Sequence, residues 1–305
     1  MGVTGPFETA EARAPDQKTP STPKPWLILS DLHLGHPRRS PGRIAKLEPL
    51  LDGIGHLVIN GDSAELHNKT RHTEAQRGLD ALKTLCDKYK ISLDFIAGNH
   101  DPFLTDTKYL RLFEDQLLIT HGDVFHDAIA PWCPSARILE KFTHEIRQEV
   151  TGSQTPSFDT RMQESLLACR RLVEQRRYQI ERVTMLRIAL NPITTARVLW
   201  YWGRYATLAT RFLDAFAPTT KILIYGHTHQ ASIVQRHGRT LINTGSFGFP
   251  CKAQCVRITG RTLSVHAIKC IHDLYQLESA PAAVFELPHR RNTSDAAPQA
   301  VSSAV

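Results

Sequence analysis

The feature that most constrains this chain is a recurrence. Five short apolar runs, residues 26–29, 57–60, 91–97, 117–120 and 222–225, each lead into side chains able to bind a metal or move a proton. The followers are Asp31-Leu32-His33, Gly61-Asp62, Gly98-Asn99-His100-Asp101, His121-Gly122-Asp123 and Gly226-His227-Thr228-His229. An apolar run of four to seven residues that stops at a Gly or a polar group reads as a buried strand ending in a loop. Nothing in folding alone asks five such loops to carry His, Asp or Asn. The pattern makes sense if the strands lie side by side and their ends meet.

The rest of the chain supports such a fold. Residues 44–51 and 74–89 space Ile44, Leu47, Leu50 and Leu51, then Leu79, Leu82, Leu85 and Cys86, at helical intervals. Strands alternating with helices predict an α/β core, in which sites form beyond the carboxyl ends of the strands. From 134 to 217 the pattern changes to three helices, over 135–150, 161–190 and 193–216. In the middle one, Leu166, Cys169, Val173, Ile180, Val183 and Leu190 form an apolar seam interrupted by Arg176 and Arg187, which predicts antiparallel helix packing. This insert holds 13 Arg and Lys against 8 acidic residues, so it carries +5 of the net charge of +7. Residues 231–235 with 240–243, and 255–258 with 262–268, read as hairpins across His237-Gly238 and Gly260.

The organisation expected is therefore a disordered leader (1–24), a first core part (25–133), the helical insert (134–217), a second core part (218–288) and a disordered tail (289–305). The polar N-terminus lacks the apolar stretch of a signal peptide. The six cysteines, 86, 133, 169, 251, 255 and 270, suggest neither a disulfide framework nor paired metal knuckles. A cytoplasmic protein with reduced thiols is the expectation.

Seven strand-end residues form the candidate centre: Asp31, His33, Asp62, Asn99, His121, His227 and His229. Carboxylate, imidazole and amide oxygen suit Mn, Fe, Zn, Co or Ni. Seven ligands exceed what one ion with an open position takes, but fit two ions if one carboxylate bridges. Two ions ~3.5–4 Å apart are the arrangement that clamps both oxygens of an in-line phosphoryl displacement.

The five blocks, with Gly61-Asp62-Ser63-Ala64-Glu65 written in full, resemble the signature of the calcineurin-like metallophosphoesterases. That resemblance implies a two-sheet sandwich flanked by helices (four layers, αββα), here with an all-helical insert. It implies metal one on Asp31, His33, Asp62 and His229, and metal two on Asp62, Asn99, His121 and His227, Asp62 bridging. It further implies a dinuclear, manganese-first hydrolase of phosphate ester or pyrophosphate bonds, acting through a hydroxide between the metals. His100 would be general acid to the leaving oxygen, with Asp101 orienting it. Glu65 is open between support of the site and a solvated helix start, and His36, His67, His72 and His126 between substrate contact and loop surface.

Residues 28–34, 118–123 and the insert's position are similar to the UDP-diacylglucosamine hydrolases, in which Arg stands where this chain has His100. They imply a phosphorylated, nucleotide- or lipid-linked substrate. Trp200, Tyr201, Trp202 and Tyr205 beside Arg197 and Arg204 could seat an acyl chain at a membrane surface, stack bases, or anchor the insert. A lid over the metal cleft is the expected role of the insert. A nuclease and a non-catalytic scaffold are the other classes; the complete ligand set speaks against the scaffold.

Overall fold

The computed structural model describes residues 24–131, 133, 135–152, 154–175 and 191–287. The expected leader up to residue 23, the tail, and positions 176–190 of the middle helix lie outside the described residues.

Two mixed sheets face each other. The first is built around parallel strands β1 (Trp26–Leu29), β2 (His56–Asn60) and β3 (Ser92–Ile96). Strand β9 (Gln254–Thr259) adds antiparallel to β1, followed by β10 (Thr262–Ile271), with β11 (Leu274–Leu277) and β12 (Ala283–Glu286) both pairing with β10. The second sheet runs β4 (Tyr109–Leu112), β5 (Leu117–Thr120), β6 (Ile222–Tyr225), β8 (Arg239–Asn243) and β7 (Ser232–Arg236), with β5, β6 and β8 parallel. Both expected hairpins form, as β7–β8 and β9–β10.

Strand alternation sorts the side chains into layers. Trp26, Ile28, Val58 and Ile96 meet Leu117, Ile119, Ile222, Ile224 and Ile242 between the sheets. Their neighbours Leu27, Leu29, Leu57 and Ile59 point outward under α1 (His72–Tyr89) and the Ile44–Leu51 3-10 helix. Because both faces are covered, these strands read as unbroken apolar runs rather than alternating ones. The 44–51 segment is a 3-10 helix rather than an α-helix, and Pro49, which has no N–H to give, sits inside it.

Among the described residues, the insert forms α2 (Ala136–Val150), α3 (Phe158–Gln175) and α4 (Pro192–Phe216). Leu118, Leu223, Tyr225 and Leu241 on the outer face of the second sheet pack against Phe158 and Met162 of α3 and Tyr205, Ala209, Phe212 and Leu213 of α4. The helical segment expected to be a lid therefore supplies the fourth layer of the sandwich. Burying the Phe212 and Leu213 side chains is worth roughly 1.5–3 kcal/mol each, so α4 belongs to the core it covers. Of the expected seam on the middle helix, Leu166 and Cys169 are buried and Val173 is half-buried.

Candidate metal centre

Each ligand-bearing loop leaves the carboxyl end of a parallel strand. Asp31 and His33 follow β1, Asp62 follows β2, Asn99 and His100 follow β3, His121 follows β5, and His227 and His229 follow β6. Three loops come from one sheet and two from the other, so the site lies where the two rims meet. The first two loops are locked by backbone: the Asp31 N–H donates to the Gly61 carbonyl (3.1 Å) and that of His33 to the Asp62 carbonyl (2.9 Å).

The local conformation is unusual. Asp31, His33, Asp62, His227 and His229 all have φ between 45° and 67°, a left-handed region that non-glycine residues enter rarely and at a cost of order 1–3 kcal/mol. Five such residues in one site indicate that the loops are held by function rather than propensity. The motif glycines serve close approach. A Cβ on Gly98 would lie 2.2 Å from Asp62 Oδ1, one on Gly226 2.2 Å from Asp31 Oδ2, and one on Gly61 2.3 Å from the His121 ring.

Ligand-type atoms of Asp31, His33, Asp62 and His229 all fall within 4.8 Å of one another, as do those of Asp62, His121 and His227. Asp62 is common to both groups. Its Oδ1 lies 3.4 Å from His121 Nε2 and its Oδ2 3.8 Å from His33 Nε2, so its two oxygens face different halves. His229 Nε2 sits 3.2 Å from Asp31 Oδ1 and 3.0 Å from His33 Nε2. Asn99 Oδ1 and His121 Nε2 are buried without a hydrogen-bond partner, which in a native interior calls for an explanation. A cation is one that suits oxygen and imidazole nitrogen equally, so the donor set fits two divalent metals.

Orientation of the imidazoles is set from behind, as in metal sites generally. His121 Nδ1 donates to the Asn60 carbonyl (3.0 Å), His227 Nε2 to the Ile129 carbonyl (2.9 Å), and His33 Nδ1 lies 3.0 Å from Glu65 Oε1. Each therefore turns its other nitrogen to the centre. Burial alone would depress His121 and His229, but Asp62 lifts the first to about 10 and Asp31 the second to about 9. The two imidazoles are thus favoured as cations by the same carboxylates that metal ions would neutralise. His227, dominated by burial, falls to about 4.

His100 stands beside this group, its Nε2 3.8 Å from Asp62 Oδ2. Asp101 does not orient it as expected. The Asp101 carboxylate accepts the backbone N–H groups of Ser63 (2.6 Å), Ala64 (3.3 Å) and Gly98 (2.8 Å), which fixes the Asp62 loop against the Asn99 loop. A carboxylate one residue after His100 on a tight turn points to its own backbone more readily than to the neighbouring ring. Glu65 takes the orienting place: its Oε1 lies 3.3 Å from His100 Nδ1 as well as 3.0 Å from His33 Nδ1. Burial opposes ionisation of Glu65, yet the two imidazoles hold its carboxyl well below the usual range. Its place in G-D-x-x-E was the available signal.

Of the open histidines, His67 packs edge-on against the His100 ring at 4.5 Å and lies 3.1 Å from its carbonyl. His36 Nδ1 accepts the Arg38 and Arg39 N–H groups (3.1 and 3.0 Å), a loop contact, and His126 Nε2 meets the Tyr201 hydroxyl at 3.2 Å. His72 begins α1. Neither Cys251 nor Cys255 joins a ligand group among the described residues. Asn243, Thr244 and Ser246 buttress the site: Asn243 donates to the Gly226 carbonyl (2.9 Å) and Ser246 to that of Asp31 (3.1 Å). Lys108, buried beside the site, carried no motif signal, and Asp123, buried with it, stood in the His121-Gly122-Asp123 block without an assigned role.

Compared with known proteins, residues 26–264 match the model of the calcineurin-like phosphoesterase superfamily domain. Similar solved structures include Vps29 of Chaetomium thermophilum (9% identity, TM-score 0.44, covering 89% of this chain and 99% of that one). A dimetal phosphatase of Danio rerio matches at 10% identity and TM-score 0.41, over 80% and 96% of the two chains. The E. coli phosphoesterase Yfce matches at 15% identity and TM-score 0.38, over 87% and 100%. No curated protein matches the chain.

Proposed function

The chain belongs to the calcineurin-like phosphoesterase superfamily, and from that premise we propose that it hydrolyses a phosphate ester or pyrophosphate bond at a dinuclear centre, with His100 as proton donor. The observation that carries this reading is the convergence of the two ligand groups on Asp62, with His100 beside them. Asp31, His33, Asp62 and His229 would hold one divalent metal, and Asp62, Asn99, His121 and His227 the other; the donor set suits Mn, Fe, Zn, Co or Ni, and manganese is placed first on the family resemblance. When bound, the pair would supply the positive charge that polarises a phosphoryl oxygen and acidifies a water.

The chain's own residues do the rest. The Glu65 carboxylate lies 3.3 Å from His100 Nδ1, an ion-pair approach short of a formed hydrogen bond. Nε2 is on the side of the centre, from where it would deliver its proton to the departing oxygen. Burial disfavours the His100 imidazolium, but Asp62 and Glu65 together raise it above its usual range, which suits an acid at neutral pH. His67, edge-on to His100, limits its rotation.

We take the substrate to be a nucleotide-linked lipid of the UDP-diacylglucosamine kind, met by the protein on the cytoplasmic face of a membrane. Leu199 (58% exposed) and Trp200 (53%) stand on the outer side of α4, with the Arg204 guanidinium 4.7 Å from the Trp200 ring. Apolar side chains with a cation beside them suit the boundary of an anionic lipid surface. No helix among the described residues is long and apolar enough to cross a membrane, so contact would be peripheral.

The experiment is turnover of bis-p-nitrophenyl phosphate, p-nitrophenyl phosphate and UDP-diacylglucosamine by protein loaded in turn with Mn, Fe, Zn, Co and Ni. Hydrolysis is expected with manganese. Failure with every metal and substrate would overturn the enzyme reading, and turnover of single-stranded DNA in preference to the others would favour a nuclease.

A further inference from the structure

Lys108 touches neither ligand nor reacting group, yet its side chain is only 3% exposed. Its ammonium has three N–H donors, and the structure gives it three acceptors: the Ala97 carbonyl at 3.0 Å and Asp123 Oδ1 and Oδ2 at 2.8 Å each. Those acceptors belong to two different ligand loops. Ala97 lies two residues before Asn99, and Asp123 two residues after His121. The Lys108 carbonyl in turn accepts the Thr120 hydroxyl at 2.9 Å, immediately before His121. Asp123 also receives the Ser165 hydroxyl of α3 at 3.3 Å.

A buried Lys–Asp pair is a poor source of stability, because desolvating two charges cancels most of their attraction. An apolar pair of the same volume would hold the fold as well. The pair does supply direction: bonds from one point to two loops that come from different sheets fix their separation.

We propose that Lys108 and Asp123 are positioning residues for the second metal, setting the distance between Asn99 and His121 and tying that half of the centre to helix α3 of the insert. This rests on the dinuclear reading above. The first half is bridged by hydroxyls instead: Ser30 Oγ lies 2.6 Å from Thr244 Oγ1, and the Ser246 hydroxyl donates to the Asp31 carbonyl at 3.1 Å, with Glu65 behind His33.

The test uses the full chain. Lys108→Met keeps length and removes charge; Lys108→Met with Asp123→Leu removes both charges, so that no unpaired carboxylate is left to unfold the protein. Manganese binding is followed by titration calorimetry and electron paramagnetic resonance, and thermal unfolding of the metal-free chains is measured alongside. Wild type is expected to bind two equivalents and show the signal of a coupled pair. Both variants should keep one equivalent near wild-type affinity, weaken the second by about tenfold or more, and show an isolated manganese signal. The double variant should recover thermal stability without recovering the second metal. Restoration of both together would make the pair merely structural, and equal weakening of both metals would remove the assignment to one half. A wild-type chain that binds no metal would instead overturn the dinuclear reading itself.

Discussion

The two halves of the centre are built differently. The first half collects Asp31, His33 and His229 around Asp62 and opens outward, since the His229 side chain is 19% exposed and His100 beside it 22%. Its supports are Glu65 behind His33, the Asp31 N–H on Gly61, the His227 N–H on the Asp31 carboxylate at 3.1 Å, and the hydroxyls of Thr244 and Ser246, which reach Ser30 and the Asp31 carbonyl from beyond β8. The second half is closed. His121 and His227 are buried, and their supports are Asn60 from the other sheet, Ile129 from the loop entering the insert, and the Lys108–Asp123 pair with Ser165 behind it. The contrast lies in the means: motif residues and hydroxyls support the open half, and a buried charge pair supports the closed one. The open half is also where a leaving group meets His100.

The largest effect expected separates chemistry from metal binding. His100→Ala should retain both metals, because His100 belongs to neither ligand set as assigned. It should lower kcat by roughly 10²–10⁴-fold, the usual worth of a positioned general acid, and most for alkyl leaving groups that need the proton. Metal analysis beside kinetics on p-nitrophenyl and alkyl phosphates decides it. Loss of an equivalent of metal would make His100 a ligand and enlarge the open half.

A smaller effect should sharpen the difference between the halves. Glu65→Gln keeps a hydrogen-bond acceptor near His33 and His100 but removes the charge. It should weaken the first metal by about 10- to 100-fold and leave the second near wild type, the reverse of Lys108→Met. Competitive titration with a metal chelator reads both steps. If the two substitutions weaken the same metal, the halves are not independent and the comparison collapses.

The same contrast explains what was legible beforehand. The seven ligand-type residues stand at strand ends, where apolar runs give way abruptly, so pattern alone located them, whereas their meeting at the rims of two different sheets did not follow from it. The two-sheet sandwich came from the resemblance of the five blocks to a known family, while the α/β core and both hairpins were legible from pattern in the same way. Lys108 was not: a single lysine between loop and strand looks like any surface cation until tertiary structure buries it. Asp101 was misassigned because sequence adjacency to His100 says nothing about where a turn points a carboxylate, whereas Glu65, 35 positions away, reaches the ring. The insert looked like a lid because its helices interrupt the core in sequence. Only its packing on Leu118, Leu223 and Leu241 shows α4 to be a layer of the fold.

The smallest effect expected concerns how the insert reaches the closed half. Asp127 Oδ1 accepts from Arg147 of α2 (2.7 Å) and Arg161 of α3 (2.9 Å), and its carbonyl accepts the Thr143 hydroxyl at 2.8 Å. Two residues on, Ile129 holds His227. Glu164 bonds to the same two arginines, and His144 lies 4.0 Å from the Asp127 carboxylate. Burial pushes Asp127 up, but the two arginines outweigh it and hold the carboxyl at about 2. In an unfolded chain the group would titrate near 3.9. A depressed carboxyl contributes its stability above the unfolded value and loses it as pH falls towards the folded one. The Asp127 contribution should therefore be complete above about pH 4 and fade between about pH 4 and pH 2. Because the pair is partly solvated, it should be worth only on the order of 1–2 kcal/mol. Urea unfolding followed by helical circular dichroism, compared between wild type and Asp127→Asn, isolates this contribution from the other carboxylates. The gap between the two proteins should be constant above pH 5 and close as pH approaches 2. A gap independent of pH would show that these arginines hold Asp127 by shape rather than charge, and that acid does not loosen the insert from the loop behind His227.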